Sequence, residues 1–221
     1  PHGLEFSVVN GVVSGVRVVV CAAVAGDGGV AAVGPKVLAR EDPSRLWLAW
    51  GEVTWHQSLV ALHGSGEPDG PRFASPRPVD WIAGCAMWMR RPALEEVGLF
   101  DEAFFAYHEE VDWCMRARAV GWRVVYSPAA VVTHTGRGAA GGDAAVRIRK
   151  YFAARNTVLF ARKHATPAQR LKLACFLAAS LPLQLAWQWP RGRGAGVWLK
   201  IRGIRDGLAG RRPPFEALGL R

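Results

Sequence analysis

The chain has 221 residues, of which 50% are hydrophobic and 21% charged, and its formal net charge is +10. This composition is typical of a folded globular protein and excludes a disordered or fibrous chain. The length allows one large domain or a domain with an appendage, and it disfavours two domains that each have a full core.

The first part of the chain is predicted to contain a helix and several short strands. A β-rich run indicates a buried strand over Val30–Leu38, with a helix before it at Ala22–Ala25. Leu46–Trp50 and Val53–Leu62 are typical of strands or strand-like arms. Gly64–Pro78 is rich in glycine and proline, and it predicts a surface loop without an element of its own.

The apolar run Val79–Met89 is the next candidate strand, followed by a turn and a short helix. Pro92 is placed to open that helix, Ala93–Val97, and Gly98 to end it, since proline suits the first helical turn and glycine the C-terminal cap.

The clearest helix prediction covers Glu109–Val120. Its residues are good helix formers, and Gly121 is placed to end it. Asp112 and Arg116 are four residues apart, so they are predicted to form an ion pair on one helix face.

Two β-type runs follow, Trp122–Tyr126 and Ala130–His134, separated by Ser127-Pro128. They lead into the glycine-rich loop Gly136–Gly142, which lacks the spacing of a nucleotide-binding P-loop. We expect His134, at the end of its run, to be exposed at the carboxyl edge of a sheet, where α/β proteins bind ligands.

Two long helices, Val146–His164 and Pro167–Trp189, are predicted in the basic C-terminal part. Residues 136–221 carry 17 Lys and Arg against 3 Asp and Glu, whereas residues 1–135 carry 11 against 15. The stretch Leu171–Trp189 is apolar, contains Pro182, and precedes several arginines. This pattern favours a helix lying in an anionic membrane interface, with a buried core helix and a true membrane span as alternatives. It disfavours nucleic acid as the anionic partner.

Five carboxylates fall between residues 101 and 112. They are Asp101, Glu102, Glu109, Glu110 and Asp112. Carboxylates at a helix start are favoured by the helix dipole, which gives a purely structural interpretation. Their aromatic neighbours would desolvate a carboxylate and raise its pKa toward that of a working base, which gives a functional one.

These features occur in an order and spacing that resemble a known family. The segments involved are Val79–Arg91, Val97–Glu102, Phe105–Asp112, Gly121–Tyr126, Arg155-Asn156 and Ile201–Leu208. They look like the acceptor-side half of family 2 glycosyltransferases, and within these the rhamnosyltransferase-like branch of bacterial cell-wall and surface-polysaccharide assembly.

The resemblance implies an α/β fold of the GT-A type, here incomplete: a mixed sheet with flanking helices, followed by C-terminal helices. It implies a partial transferase domain over residues 1–165 and a basic, apolar, membrane-associating region over residues 166–221. The implied reaction is inverting transfer from a nucleotide-sugar to a hydroxyl of a polysaccharide or lipid-linked acceptor, on the cytoplasmic face of the plasma membrane.

The resemblance also implies roles for individual residues. Glu110 matches the catalytic base, Glu109 is its acidic neighbour, and Asp101 lines the acceptor side. The residues implied in acceptor binding or in orienting the helix of the base are Trp81, Gly84, Asp112 and Arg116. His134 matches a position that helps to hold a divalent metal, Mn²⁺ or Mg²⁺, or the diphosphate.

One family motif is missing from this sequence. An Asp-x-Asp motif is expected at Phe6–Val13, and this segment contains no aspartate. Without these two anions, metal and donor binding are expected to be weak, as in a fragment or an inactive copy. Two alternatives stay open: a non-catalytic membrane-bound remnant, and a metal-dependent hydrolase. The hydrolase site would use His108, Glu109, Glu110, Asp112 and His134.

Overall fold

A computed structural model describes residues 27–56, 59–135 and 142–220, and this part of the chain has a mixed α/β fold. The helix predicted at Ala22–Ala25 lies outside the described residues, as does all of the predicted glycine-rich loop except Gly142.

The described residues form seven strands and five α-helices. The strands are β1 Val30–Ala39, β2 Leu46–Leu48, β3 Trp50–Val53, β4 Val60–His63, β5 Arg77–Val79, β6 Trp88–Met89 and β7 Arg123–His134. The helices are α1 Arg91–Val97, α2 Glu109–Ala119, α3 Gly142–His164, α4 Pro167–Gln188 and α5 Gly194–Leu208.

The chain divides into two compact units. Among the described residues, unit 1 comprises 27–53, 60–100 and 110–135, and unit 2 comprises 54–56, 59, 101–109 and 142–220. Unit 1 therefore holds all seven strands, and unit 2 holds α3, α4 and α5. The domain boundary predicted at residue 165 stays a prediction.

The sheet of unit 1 is built around β1 and β7, which run parallel. Its strand order is β2-β1-β7-β5, and β6 also pairs with β1. The two short strands β2 and β6 lie at successive positions along one edge of β1, and both are antiparallel to it. β3 and β4 form a separate hairpin. The mixed sheet agrees with the predicted α/β class.

β7 merges the two runs that the sequence separates at Ser127-Pro128. Ser127 pairs with Pro35 and Val131 with Lys36, so three residues of β7 have no counterpart on β1. Proline has no N–H to donate to the ladder, and a bulge accommodates it without ending the strand.

The prediction of one strand over Val79–Met89 is wrong. The segment contains the end of β5, a 3₁₀ turn at Gly84–Ala86, and the two-residue β6. Between them, Trp81 and Ile82 pack over two strand glycines: a Cβ on Gly34 would come within 2.6 Å of Ile82, and one on Gly51 would overlap Trp81. The backbone of Trp81 forms a single antiparallel bridge to Gly51, while the side chains of Trp81 and Ile82 cover the two glycines.

The prediction of a loop over Gly64–Pro78 is also wrong in part. Phe73 lies in a 3₁₀ turn and is 2% exposed. Its carbonyl oxygen accepts a hydrogen bond of 2.9 Å from the buried hydroxyl of Tyr126. Arg77–Val79 then pairs with β7. One buried ring and three strand residues thus anchor a segment whose composition is that of a loop.

The helix predictions around the acid-rich segment are confirmed. Pro92 lies in the first turn of α1, and Gly98 caps its end with a φ of 84°. Gly121, with a φ of 95°, follows the end of α2. A positive φ is accessible to glycine without steric cost, which explains both helix ends.

In unit 2, α5 packs closely on α3 because of two glycines one helical turn apart. A Cβ on Gly207 would lie 2.8 Å from the Arg155 carbonyl oxygen, and one on Gly203 would come even closer to the carbonyl oxygen of Tyr151. α4 begins with a capping box: Thr166 accepts from the Gln169 N–H, and Gln169 accepts from the Thr166 N–H.

Replacing Gly203 by Ala is expected to lower the free energy of unfolding by about 2 kcal/mol, because the new methyl group overlaps main-chain atoms that cannot rotate away. Gly196→Ala in the same helix is the matched control, since its methyl meets only the flexible end of Lys150. Both variants replace a helical glycine by alanine. Urea unfolding measures the difference; equal midpoints for the two variants would show that the close approach of α5 and α3 is absent.

The helix α4 leaves much of its apolar surface uncovered. Leu171, Leu183 and Trp187 are exposed, and within this fully described helix only Leu173 is buried. The interpretation as a buried core helix is therefore wrong. Within the described residues, no helix combines the length and apolar character that crossing a bilayer requires.

Candidate functional site

The acid-rich segment begins, in unit 2, with a strained loop. Phe105, Tyr107 and His108 have φ values of 60°, 69° and 74°. Left-handed backbone at residues other than glycine costs free energy, of the order of 1 kcal/mol or more for each residue, and such residues occur often at functional sites. This loop leads directly into Glu109, the first residue of α2.

Two adjacent polar side chains of α3 hold the loop in this conformation. The Asn156 amide nitrogen lies 2.7 to 2.8 Å from the carbonyl oxygens of Phe104, Ala106 and Tyr107. Because an amide has two hydrogens, at least one of them is shared between acceptors. Arg155 donates to the Ala103 carbonyl at 2.8 Å. Asn156 is fully buried, so these hydrogen bonds are shielded from water and offset the strain.

His108 and Glu109 are buried at the end of this loop. Within the described residues, neither ring nitrogen of His108 has a hydrogen-bond partner. The same holds for Oε2 of Glu109. Burial lowers the pKa of His108 to about 4 and raises the pKa of Glu109. The imidazole is therefore neutral at physiological pH, and the Glu109 carboxyl takes up a proton more readily than an exposed glutamate does.

The buried imidazole predicts a pH-dependent stability. The pKa of His108 is about 4 in the folded chain and 6.5 in a model peptide, so protonation of His108 favours the unfolded chain. The stability that depends on neutral His108 is therefore complete above pH 6.5 and is lost as the pH falls toward 4. We expect a loss of about 2 kcal/mol between pH 7 and pH 5. His108→Asn does not titrate and tolerates a positive φ, so its urea midpoint is expected to fall less over this range. An equal fall of the urea midpoint in both proteins would show that His108 does not cause the loss of stability.

Glu110 is the first residue of the segment that belongs to unit 1, and it lies beside Gly84. A Cβ on Gly84 would lie 3.5 Å from the Glu110 Cβ and 3.9 Å from its carboxyl carbon. The negative charge of Glu110 adds to the effect of burial in raising the pKa of Cys85 to about 12. The structure thus brings together Glu110 and Gly84, two of the predicted site residues. The raised pKa keeps the neighbouring Cys85 thiol protonated.

The predicted ion pair between Asp112 and Arg116 is present and is largely buried. Arg116 Nε donates to Asp112 Oδ2 at 2.8 Å, and the Asp112 side chain is 0% exposed. The two terminal nitrogens of Arg116 donate to the carbonyls of Val97 and Leu99 at 2.6 and 2.7 Å. Between these two, the Gly98 carbonyl accepts from the indole of Trp113 at 2.7 Å. α2 is thereby tied to the end of α1.

His134 lies at the far end of β7, where it pairs with Ala39 and its ring packs on Trp47 with centroids 4.3 Å apart. β6, which follows Gly84, pairs with β1 at Val33, six residues earlier. At 3.3 Å per residue, these positions are about 20 Å apart along β1. This spacing along β1 does not measure the distance between the Glu110 and His134 side chains, so their common cleft stays a prediction.

The metal role of His134 also stays a prediction. Burial lowers the pKa of His134, so the imidazole is available in its neutral, ligating form. However, residues 27–56, 59–135 and 142–220 contain no group of three His, Cys, Asp or Glu side chains arranged to hold a metal ion.

Two further predicted site residues have mainly structural contacts. Trp81 is 4% exposed and packs on Gly51, so only a small part of its indole could stack on a sugar in this conformation. Asp101 accepts from the Ala103 N–H at 3.0 Å and pairs with Lys163 of α3 at 2.8 Å. The assigned roles of both residues stay predictions.

Comparison with known proteins gives an independent indication of the chemistry. No family model matches the chain. It is 36% identical over 110 residues to the N-acetylglucosaminyl-diphospho-decaprenol L-rhamnosyltransferase of Mycobacterium tuberculosis, which covers 50% of this chain and 35% of that protein. It is 39% identical over 56 residues to rhamnosyltransferase WbbL of Escherichia coli, covering 25% of this chain and 21% of the relative. The chain is similar to glycosyltransferases.

A third relative is named as a hexosyltransferase. The low-salt glycan biosynthesis hexosyltransferase Agl10 of Haloferax volcanii is 40% identical over 42 residues, or 19% of this chain and 14% of the relative. The chain aligns with about a third of the mycobacterial glycosyltransferase. The resemblance is thus confirmed at the level of glycosyltransferases, while the GT-A subtype stays a prediction.

Sequence reasoning did not assign a role to the side chains that hold the strained loop. Arg155 and Asn156 were part of the resemblance to glycosyltransferases, but neither carried a function. The available signal was an adjacent pair of polar residues in the middle of a long predicted helix; both are buried, at 6% and 0% exposure. Buried polar groups require partners, but a sequence does not show which ones.

Proposed function

We propose that this chain carries the acceptor-side part of an inverting glycosyltransferase that acts on a lipid-linked acceptor. The observation that carries the proposal is the likeness to a rhamnosyltransferase named for a diphospho-decaprenol substrate, together with the acidic pair at the start of α2. The donor is a nucleotide-sugar, and the product belongs to cell-wall or surface-polysaccharide assembly.

In the proposed reaction, Glu110 acts as the general base. Its carboxylate accepts the proton of the acceptor hydroxyl as that oxygen bonds to the anomeric carbon of the donor. The bond from the anomeric carbon to the diphosphate oxygen breaks on the opposite face, so the configuration inverts. Gly84 supports this role because it leaves open backbone beside the Glu110 side chain.

The strained loop before α2 supports a positioning role for Asn156. Its three carbonyl contacts fix the loop of unit 2 that ends at Glu109, one member of the acidic pair. Pre-organisation of this kind matters because a displacement of about 1 Å at a reacting group can lower a rate a hundredfold.

The exposed apolar side chains of α4 support association with a membrane surface. Leu183 and Trp187 of α4 are 70% and 66% exposed, Trp189 in the turn directly after it is 63% exposed, and Arg191 and Arg193 follow. Aromatic rings beside cationic residues are typical of helices that lie in a lipid interface. We infer that this helix brings the chain to the anionic membrane that holds a lipid-linked acceptor.

The test is an assay of the complete gene product with nucleotide-activated rhamnose as donor and a polyprenyl-diphosphate-linked N-acetylglucosamine acceptor. We expect transfer to the lipid-linked sugar, with an anomeric configuration opposite to that of the donor by NMR. Retention of configuration would overturn the proposed mechanism. Hydrolysis of the donor with no transfer to any acceptor would overturn the function.

A further inference from the structure

A cavity in unit 2 has no role in the chemistry proposed for Glu110. Its volume is about 370 Å³, which is within the range of small-ligand sites. It is lined by one face of α5 and the segment that follows, namely Trp198, Ile201, Arg202, Arg205, Asp206 and Arg211. Three arginines and one aspartate therefore contribute to the lining of this cavity.

The carboxylate of Asp206 organises the cavity without saturating its arginines. The Tyr151 hydroxyl donates to Asp206 Oδ2 at 2.9 Å, and this bond is buried. Arg202 and Arg211 approach Asp206 at 3.9 and 3.8 Å, which is an ion-pair distance but too long for a hydrogen bond. Their N–H donors are therefore not used up by this carboxylate.

Arg205 adds a third positive charge to the cavity. Within the described part of the chain, no ion pair or side-chain hydrogen bond joins it to another residue. A helix C-terminus carries roughly half a negative charge, which favours nearby arginines for structural reasons alone. Even together with Asp206, this partial charge leaves three guanidinium groups undercompensated. The excess points to an anionic ligand with several acceptor oxygens, as in a phosphate or diphosphate.

The neighbours of the cavity on α5 favour an anion that is attached to a lipid. Trp198, Ile201, Arg205 and Leu208 follow one another at intervals of three or four residues and so share one helix face. Trp198 and Leu208, at the two ends of this stripe, are 52% and 57% exposed. Apolar side chains on both sides of a cationic centre suit a charged headgroup with an apolar chain, whereas a free anion gains nothing from them.

We propose that this arginine cavity binds the diphosphate group of an isoprenoid-type lipid. The guanidinium groups of Arg202, Arg205 and Arg211 donate to the diphosphate oxygens, and Trp198 and Leu208 contact the first part of the lipid chain. The inference rests on the proposed function for the choice of a lipid-linked diphosphate. The binding itself requires no sugar donor and no transfer.

The test compares vesicle binding of the 221-residue chain and two double variants. Arg202→Gln with Arg205→Gln removes two cavity charges, and both side chains are exposed, so the fold is expected to persist. Arg193→Gln with Arg212→Gln is the matched control, since it removes two exposed charges that do not line the cavity. Thermal unfolding of each variant checks that the helices remain folded.

Three probes separate the sources of the anion: phosphatidylcholine vesicles with undecaprenyl diphosphate, vesicles with phosphatidylglycerol at equal surface charge, and inorganic pyrophosphate in solution. We expect the cavity variant to bind the diphosphate vesicles roughly tenfold more weakly than the unchanged chain, and the control to lose much less. Equal losses in both variants, equal affinity for phosphatidylglycerol, or binding of pyrophosphate without the lipid would each overturn the proposal. Because no transfer is measured, this result is independent of the glycosyltransferase assay.

Discussion

Replacing Glu110 by Gln is expected to lower kcat for sugar transfer by about 10²- to 10⁴-fold, which is the usual contribution of a general base. The amide keeps the size and hydrogen-bonding capacity of the side chain but cannot accept the hydroxyl proton. KM is expected to change little, because the acceptor still meets the open backbone at Gly84. The measurement is steady-state transfer to the lipid-linked acceptor with the complete gene product.

Two other variants control for this effect. Glu110→Asp keeps a carboxylate but shortens its reach by one methylene, so partial activity is expected. Glu102→Gln removes an exposed carboxylate from the same acidic segment and is expected to leave kcat unchanged. Full activity of Glu110→Gln would show that Glu110 is not the base. A loss of kcat in Glu102→Gln equal to that in Glu110→Gln would show that the effect comes from the general charge of the segment.

Replacing Asp112 by Asn is expected to lower the free energy of unfolding by about 3 to 5 kcal/mol, the usual cost of removing one partner from a buried ion pair. The Asp112 side chain is 0% exposed and that of Arg116 is 21% exposed. Without the carboxylate, the Arg116 guanidinium keeps its charge in a place where water reaches it poorly. Urea unfolding monitored by tryptophan fluorescence measures the loss.

The exposed pair on α1 provides the control for Asp112. Arg91 and Glu95 are also four residues apart on a helix and lie 2.9 Å from each other, but their side chains are 74% and 64% exposed. Glu95→Gln is therefore expected to change stability by no more than about 0.5 kcal/mol. If the two variants cost the same, burial is not what makes the Asp112 pair strong.

The elements that the sequence predicted well are those with local signals at both ends. α1 has Pro92 in its first turn and Gly98 at its end, and α2 ends before Gly121, so proline and glycine mark three of these four boundaries. The pair between Asp112 and Arg116 follows from helical spacing in the same way. Each of these features depends on residues within one or two helical turns.

The predictions that failed concern segments whose conformation depends on distant partners. Val79–Met89 has the composition of one strand, but it pairs in pieces with three different strands: Val79 with β7, Trp81 with Gly51 of β3, and β6 with β1. The loop predicted before it is anchored by the hydrogen bond from Tyr126 to the Phe73 carbonyl, across 53 residues of sequence. Composition does not show such contacts, because the partner is far away in the chain.

The sequence by itself determined the α/β class, the acidic helix start, the basic C-terminal part and the likeness to glycosyltransferases, because periodicity, charge and motif order are properties of the chain alone. Only the tertiary structure decided which groups are buried and what they contact. It placed Gly84 beside Glu110, and it hydrogen-bonded Asn156 to the strained loop. It also brought three arginines into the lining of one cavity. Burial and long-range contact set pKa values, strain and binding, and they arise only when segments distant in sequence pack together.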